Sequence, residues 1–150
     1  MAMHRHLQGL AQYLLQCPDA SSVNPRDVHP KALPHFYILN IERDAAGKTS
    51  ALRIRFTGTA LDAAFRRKLL NCRLEDFVHG PRASEVLAGF HACADSGRAV
   101  WMRQVVQIQD RLPRFVEGVA VRIPPERVYG GLYVGELAAD EASQFESKEL

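Results

Sequence analysis

Cysteine is scarce in this 150-residue chain. Cys17, Cys72 and Cys93 are odd in number and share no close spacing, which excludes a disulfide framework and points to free thiols in a reducing compartment. Excess charge of one sign is missing too. The 19 lysines and arginines against 17 aspartates and glutamates leave +2, too little for a nucleic-acid surface. No apolar run approaches the ~20 residues that cross a bilayer, and MAMHRHLQGL lacks the uninterrupted apolar core of a signal peptide. No internal repeat is present, and no Ser/His/Asp or Cys/His spacing matches a nucleophilic motif. These absences define a cytoplasmic globular protein without membrane or nucleic-acid partners. At 47% hydrophobic and 24% charged residues, one domain of this length buries a core without disulfides.

Hydrophobic periodicity then orders the chain. Leu7, Leu10, Ala11, Leu14 and Leu15 fall at helical offsets, so residues 1–17 form an amphipathic helix that ends at Cys17-Pro18. Pro18, Pro25, Pro30 and Pro34 make residues 18–34 a connector with little regular structure, which detaches the first helix from the fold. A domain over residues 35–137 follows. Residues 36–57 read as a hairpin around the turn Asp44 to Lys48. Val86, Leu87, Phe90 and Ala94 recur at helical spacing from Pro81 to Ser96-Gly97. Val100, Met102, Val106 and Ile108 alternate with Trp101, Arg103, Gln107 and Gln109 as a strand, and 115–123 and 128–137 are two more. The acidic tail, 138–150, reads as a frayed helix or as disordered.

The most informative stretch is 52–77, LRIRFTGTALDAAFRRKLLNCRLEDF. Leu52, Ile54 and Phe56 alternate with Arg53, Arg55 and Thr57, a strand with one buried and one wet face. Past Gly58-Thr59 the period becomes helical, with Leu61, Ala64 and Phe65 on one face, Thr59 as a cap and Asp62 in the first turn. Arg53, Arg55, Gly58-Thr59, Phe65, Leu69, Asn71, Arg73 and Leu74 together resemble the stand-alone bacterial branch of the PAS family. Arg66 and Asn71 stand where that family usually has glycine. The resemblance implies an α+β, PAS-like fold: a five-stranded antiparallel sheet with helices inserted between strands two and three, plus the N-terminal amphipathic helix.

Several motifs suggest chemistry and lose to plainer readings. Gly47-Lys48-Thr49 looks like the end of a phosphate-binding loop, but Glu42 stands where the first glycine belongs, and a strand follows where a helix N-terminus is required. A hairpin turn accounts for it. Asn71-Cys72-Arg73 matches the flavin-binding branch of the PAS superfamily, yet Leu74-Glu75-Asp76 replaces the Phe-Leu-Gln that should follow, so Cys72 reads as a small buried hydrophobe. His91 and Cys93 lie on the long helix, where haem-binding relatives carry their iron ligand; two residues apart, they point about 200° away from each other. No cofactor is expected, flavin and haem included, and no metal. His4, His6, His29 and His35 are scattered over a mobile segment with no site. Arg66-Arg67-Lys68 is a solvated basic face.

What remains is the space between sheet and helices. Its candidate walls are Ile54, Phe56, Phe65, Leu70, Cys72, Phe77, Phe90, Met102, Gln104 and Val106. Gln104 is polar on an apolar face, so its amide needs a partner that a ligand can supply. The plainer alternative is a filled core with Gln104 bonded to backbone. The resemblance implies a sensory or regulatory module, not an enzyme, that binds a small molecule or a protein and carries no output domain of its own. The amphipathic helix packs on the sheet's outer face or on a second copy, with Leu7, Leu10, Leu14, Trp101, Val105 and Tyr133 (or Tyr129) as the surface of a homodimer. The alternative from another class is a small enzyme using the same cavity, with Glu117 or His91 as acid or base.

Overall fold

A computed structural model describes residues 3–79, 83–106, 114–135 and 145–150, apart from the side chains of Phe77, Val106, Phe145 and Glu146. The elements run α1 (Arg5–Leu15), three short 3-10 turns, β1 (Phe36–Arg43), β2 (Thr49–Thr57), α2 (Thr59–Phe65), α3 (Leu74–Phe77), α4 (Ala83–Ser96), β3 (Val100–Val106), β4 (Arg114–Ile123), β5 (Arg127–Gly135) and β6 (Phe145–Glu149). All strands pair antiparallel in the order β2-β1-β5-β4-β3-β6. The fold is α+β, as the sequence implied, but the sheet has six strands instead of five. The sixth lies in the segment read as a frayed or unstructured tail. FESKE has weak strand propensity; pairing with the open edge of β3 overrides it.

The hairpin turn forms because Asp44 Oδ1 accepts from Ala46 N at 2.9 Å and Lys48 N at 3.0 Å, while Gly47 takes φ +82°. Gly47-Lys48-Thr49 is therefore turn and strand start. Gly58 ends β2 and caps α2, so Thr59 is the first helical residue and not the cap. A side chain at Gly58 would collide with the Pro34 carbonyl. Arg66 (φ 49°) and Asn71 (φ 70°) both adopt the left-handed conformation. Such backbone is unfavourable for L-residues by about 1–2 kcal/mol, less for asparagine.

The sheet separates two apolar layers. On its inner face, Tyr37, Leu39, Ile41, Leu52, Ile54, Met102, Ala120 and Val128 pack with Leu61 of α2, Leu74 of α3 and Val86, Phe90, Cys93 and Ala94 of α4. On its outer face, Leu7, Leu10, Ala11 and Leu14 of α1 lie on Phe36, Trp101, Val119, Val121, Ile123 and Tyr129. Gly131 makes room for α1: a Cβ there would come within 2.8 Å of Leu10 and 3.2 Å of Leu7.

The connector does not detach α1. Val28 and Ala32 are buried in the outer layer, Tyr13 Oη accepts from Asn24 N at 2.8 Å, and Ala20 N donates to Pro124 O at 2.8 Å. Apolar residues between prolines were enough to fasten it.

Candidate functional site

A cavity opens between the sheet and the helices. Tyr37, Leu39, Ile54 and Thr57 form its floor, Leu132 one wall, and Leu61, Phe65, Leu69, Leu74 and Phe90 its roof. Tyr37 is fixed there because its hydroxyl crosses over Gly130 to donate to Val119 O at 2.7 Å, and burial pushes its pKa well up. The volume is about 20 Å³, space for roughly one water, against the ~300 Å³ or more of a typical ligand pocket.

Three of the sequence candidates line this cavity: Ile54, Phe65 and Phe90. Met102 is buried beneath α4, its sulfur 3.0 Å from where Gly89 would carry a Cβ. Cys72 packs partly on the core, its sulfur 3.3 Å from Arg67 Nη2. Phe56 and Leu70 do not belong. Leu39 pairs with Ile54 and Ile38 with Phe56, so Arg55 is an extra residue in the ladder. Such a bulge reverses the side-chain alternation, which sends Phe56 to the outer face, 6.0 Å from the Phe36 ring and 41% exposed. Leu70 sits in the turn after α2, 56% exposed. The candidate side chains Phe77 and Val106 lie outside the described residues.

The sequence reading missed Tyr37, Leu39, Thr57, Leu61, Leu69, Leu74 and Leu132. Tyr37 and Leu39 share one face of β1 by simple alternation, a signal that was available.

Gln104 is where the interior is least settled. It is 4% exposed and its Oε1 has no hydrogen-bond partner among the described residues, so no described backbone group meets it as a filled core would require. Its cross-strand neighbour is Val116, around which Phe65 and Leu132 also pack. Gln104 does not itself line the cavity; it is linked to it through Val116, which packs on the lining residues Phe65 and Leu132.

The residues proposed for acid-base work sit elsewhere. His91 Nε2 is 2.6 Å from Glu75 Oε2, and Glu75 Oε1 accepts from Leu52 N at 3.1 Å, so the pair covers the edge of β2. Glu117 accepts from Trp101 Nε1 at 2.7 Å and from His4 N at 3.1 Å, in the outer layer. Cys93 is inert: burial pushes its thiol to about 11.

Arg53 gives the second-strand arginine a structural role. Its Nε donates to Glu42 at 2.7 Å and its Nη1 to Asn71 O at 2.8 Å, tying β1, β2 and the end of the 66–71 turn together. The hydrogen bond from Arg53 holds the Glu42 carboxyl below its usual range.

The surface assigned to a homodimer is consumed within the chain. Leu7 and Leu14 are fully buried, Leu10, Trp101 and Val105 nearly so. Tyr133 stacks between His4 (4.1 Å) and His35 (3.8 Å) and donates to Lys31 O at 3.0 Å. His6 is 5.4 Å from His4 and 4.8 Å from His29. The scattered histidines are thus brought together by the docking of α1, a correction that no local sequence signal foretold. Burial, then neighbouring charges (Arg5, His29, His4, Lys31), lowers the His6 pKa; burial lowers that of His35 against its bond to Leu132 O.

Among the described residues, no group of three His, Cys, Asp or Glu is placed to hold a metal, and no helix is long and apolar enough to cross a membrane. No protein-family model matches the chain, and no curated protein is similar to it.

Proposed function

We propose that the chain is a PAS-like regulatory module whose inner cavity widens to take a small, mainly apolar molecule bearing one hydrogen-bond donor. The observation that carries this reading is the buried oxygen of Gln104, without a hydrogen-bond partner among the described residues, on a side chain whose cross-strand neighbour Val116 packs on Phe65 and Leu132 of an apolar cavity. A buried acceptor without a partner is unfavourable by about 1–3 kcal/mol, and a donor on a ligand would recover that. Room comes from the 66–71 turn, bracketed by left-handed Arg66 and Asn71, whose displacement with Phe65 would join cavity and amide. Strained non-glycine backbone of this kind is a recurrent feature of moving segments.

A second reading, association with a protein partner, is favoured by the small volume of the cavity as it stands. Catalysis is not part of the proposal, because the lining is apolar and both His91 and Glu117 are engaged elsewhere.

The test is native mass spectrometry of the chain purified from its own host, alongside Gln104→Met. The ligand reading expects a non-covalent small-molecule adduct on the wild type that the variant loses. Bare mass on the wild type, with another polypeptide carried along, would favour the second reading instead.

A further inference from the structure

The two edges of the sheet are finished differently. At the β2 edge the outward backbone groups are used: Ile54 N donates to Cys72 O at 2.8 Å, Ile54 O accepts from Asn71 N at 2.8 Å, and Leu52 N donates to Glu75. At the β6 edge, among the described residues, they are not. Leu150 N donates to Ala99 O at 2.9 Å, which fixes the alternation of an antiparallel ladder. The amides of Lys148 and Glu146 therefore face β3, and those of Phe145, Ser147 and Glu149 face away, with no partner among the described residues. Residues 147–150 are exposed.

Bare edges recruit strands, and charge on them decides which strands. The β6 sequence, Phe-Glu-Ser-Lys-Glu, is self-complementary in one register. Two copies aligned antiparallel about Ser147 bring every outward amide and carbonyl opposite its counterpart: Ser147 across from Ser147, Phe145 across from Glu149. In that register the position of Glu146 in one copy lies opposite that of Lys148 in the other, twice by symmetry. Opposite charges directly across a ladder are favourable and like charges unfavourable. The same charges that turn away an unrelated strand thus accept this one.

We infer that β6 is a self-association edge, and that two copies of this chain join through β6–β6 pairing into one continuous twelve-stranded sheet. This surface is separate from the α1 face, and the inference does not rest on the ligand reading. With five residues per strand the ladder is short, so the dimer is concentration-dependent.

Analytical ultracentrifugation over a wide concentration range tests it with Glu146→Lys and Lys148→Glu. Wild type should show a monomer–dimer equilibrium. Each variant alone brings like charges together at both symmetric positions, and its dissociation constant should rise by about tenfold or more. An equimolar mixture of the two should recover the dimer, because the two lysines of one variant strand then lie opposite the two glutamates of the other at positions 146 and 148, a rescue that a misfolded variant would not give. Ser147→Pro, which removes only an outward amide, should be monomeric with an unchanged circular dichroism spectrum. A wild type that stays monomeric, variants that dimerise like wild type, or a mixture that fails to recover the dimer would each overturn the inference; loss of structure in Ser147→Pro leaves the mixing result to decide.

Discussion

On the outer face of the sheet, α1 is held by several kinds of contact at once. Four buried apolar side chains, the Trp101–Glu117–His4 hydrogen bonds, the His35–Tyr133–His4 stack and the Tyr13–Asn24 pair all act on one short helix. On the inner face, α2 and the turn after it are tied at their two ends, by Thr57 Oγ1 to Asp62 and by Arg53 and Ile54 to Asn71 and Cys72, but between these they cover a void, with two left-handed residues bracketing the turn and a Gln104 oxygen that has no partner among the described residues. The difference assigns their roles: a layer fastened by redundant interactions resists opening, whereas one with a void, strain and an unmet hydrogen bond changes shape at low free energy. The outer layer is the sealed one, and the inner layer is where the proposed effector would act.

The largest effect expected from breaking this contrast is in the outer layer. Leu14 is fully buried, so Leu14→Ala should lower unfolding free energy by about 2–5 kcal/mol, read from urea denaturation. Less than about 1 kcal/mol would mean that α1 is not fixed as described.

In the inner layer the sign reverses. Gln104→Met conserves volume and removes the orphaned oxygen, so the ligand-free protein should gain about 1–2 kcal/mol. A loss of stability would show that the amide has partners after all.

A smaller gain, about 0.5–1 kcal/mol, is expected for Arg66→Gly, which relieves left-handed backbone at the expense of chain entropy. The relief should also make α2 open less often.

The smallest expected effect is a pH dependence confined to the outer layer. His6 and His35 have depressed pKa values in the folded chain, so the folded state binds fewer protons than the unfolded one. Their stabilisation is complete above the unfolded value near 6.5 and declines as pH falls below it. Trp101 is the sole tryptophan and lies in this layer. Its fluorescence, in mild denaturant, should report loosening as pH falls below about 6.5 that the double variant His6→Gln, His35→Gln no longer shows.

Much of the inner architecture was legible in the sequence, because strand and helix periods change where the chain itself changes. Ile54, Phe65 and Phe90 were found in this way, as was the odd amide at 104. Phe56 was misplaced because a bulge at Arg55 leaves the alternation of residue types intact while reversing the faces. β6 was missed because its pairing is dictated by β3's open edge and not by its own composition. The histidine cluster was invisible for a similar reason: residues 4, 6, 29, 35 and 133 meet only once α1 has docked.

Residue-resolved amide hydrogen exchange tests the contrast between the layers most directly. The Ala64 and Phe65 amides of α2 should exchange through local opening, about tenfold or more faster than the Leu10 and Leu14 amides of α1. Exchange of α1 as fast as α2, or faster, would contradict a sealed outer layer and an adaptable inner one.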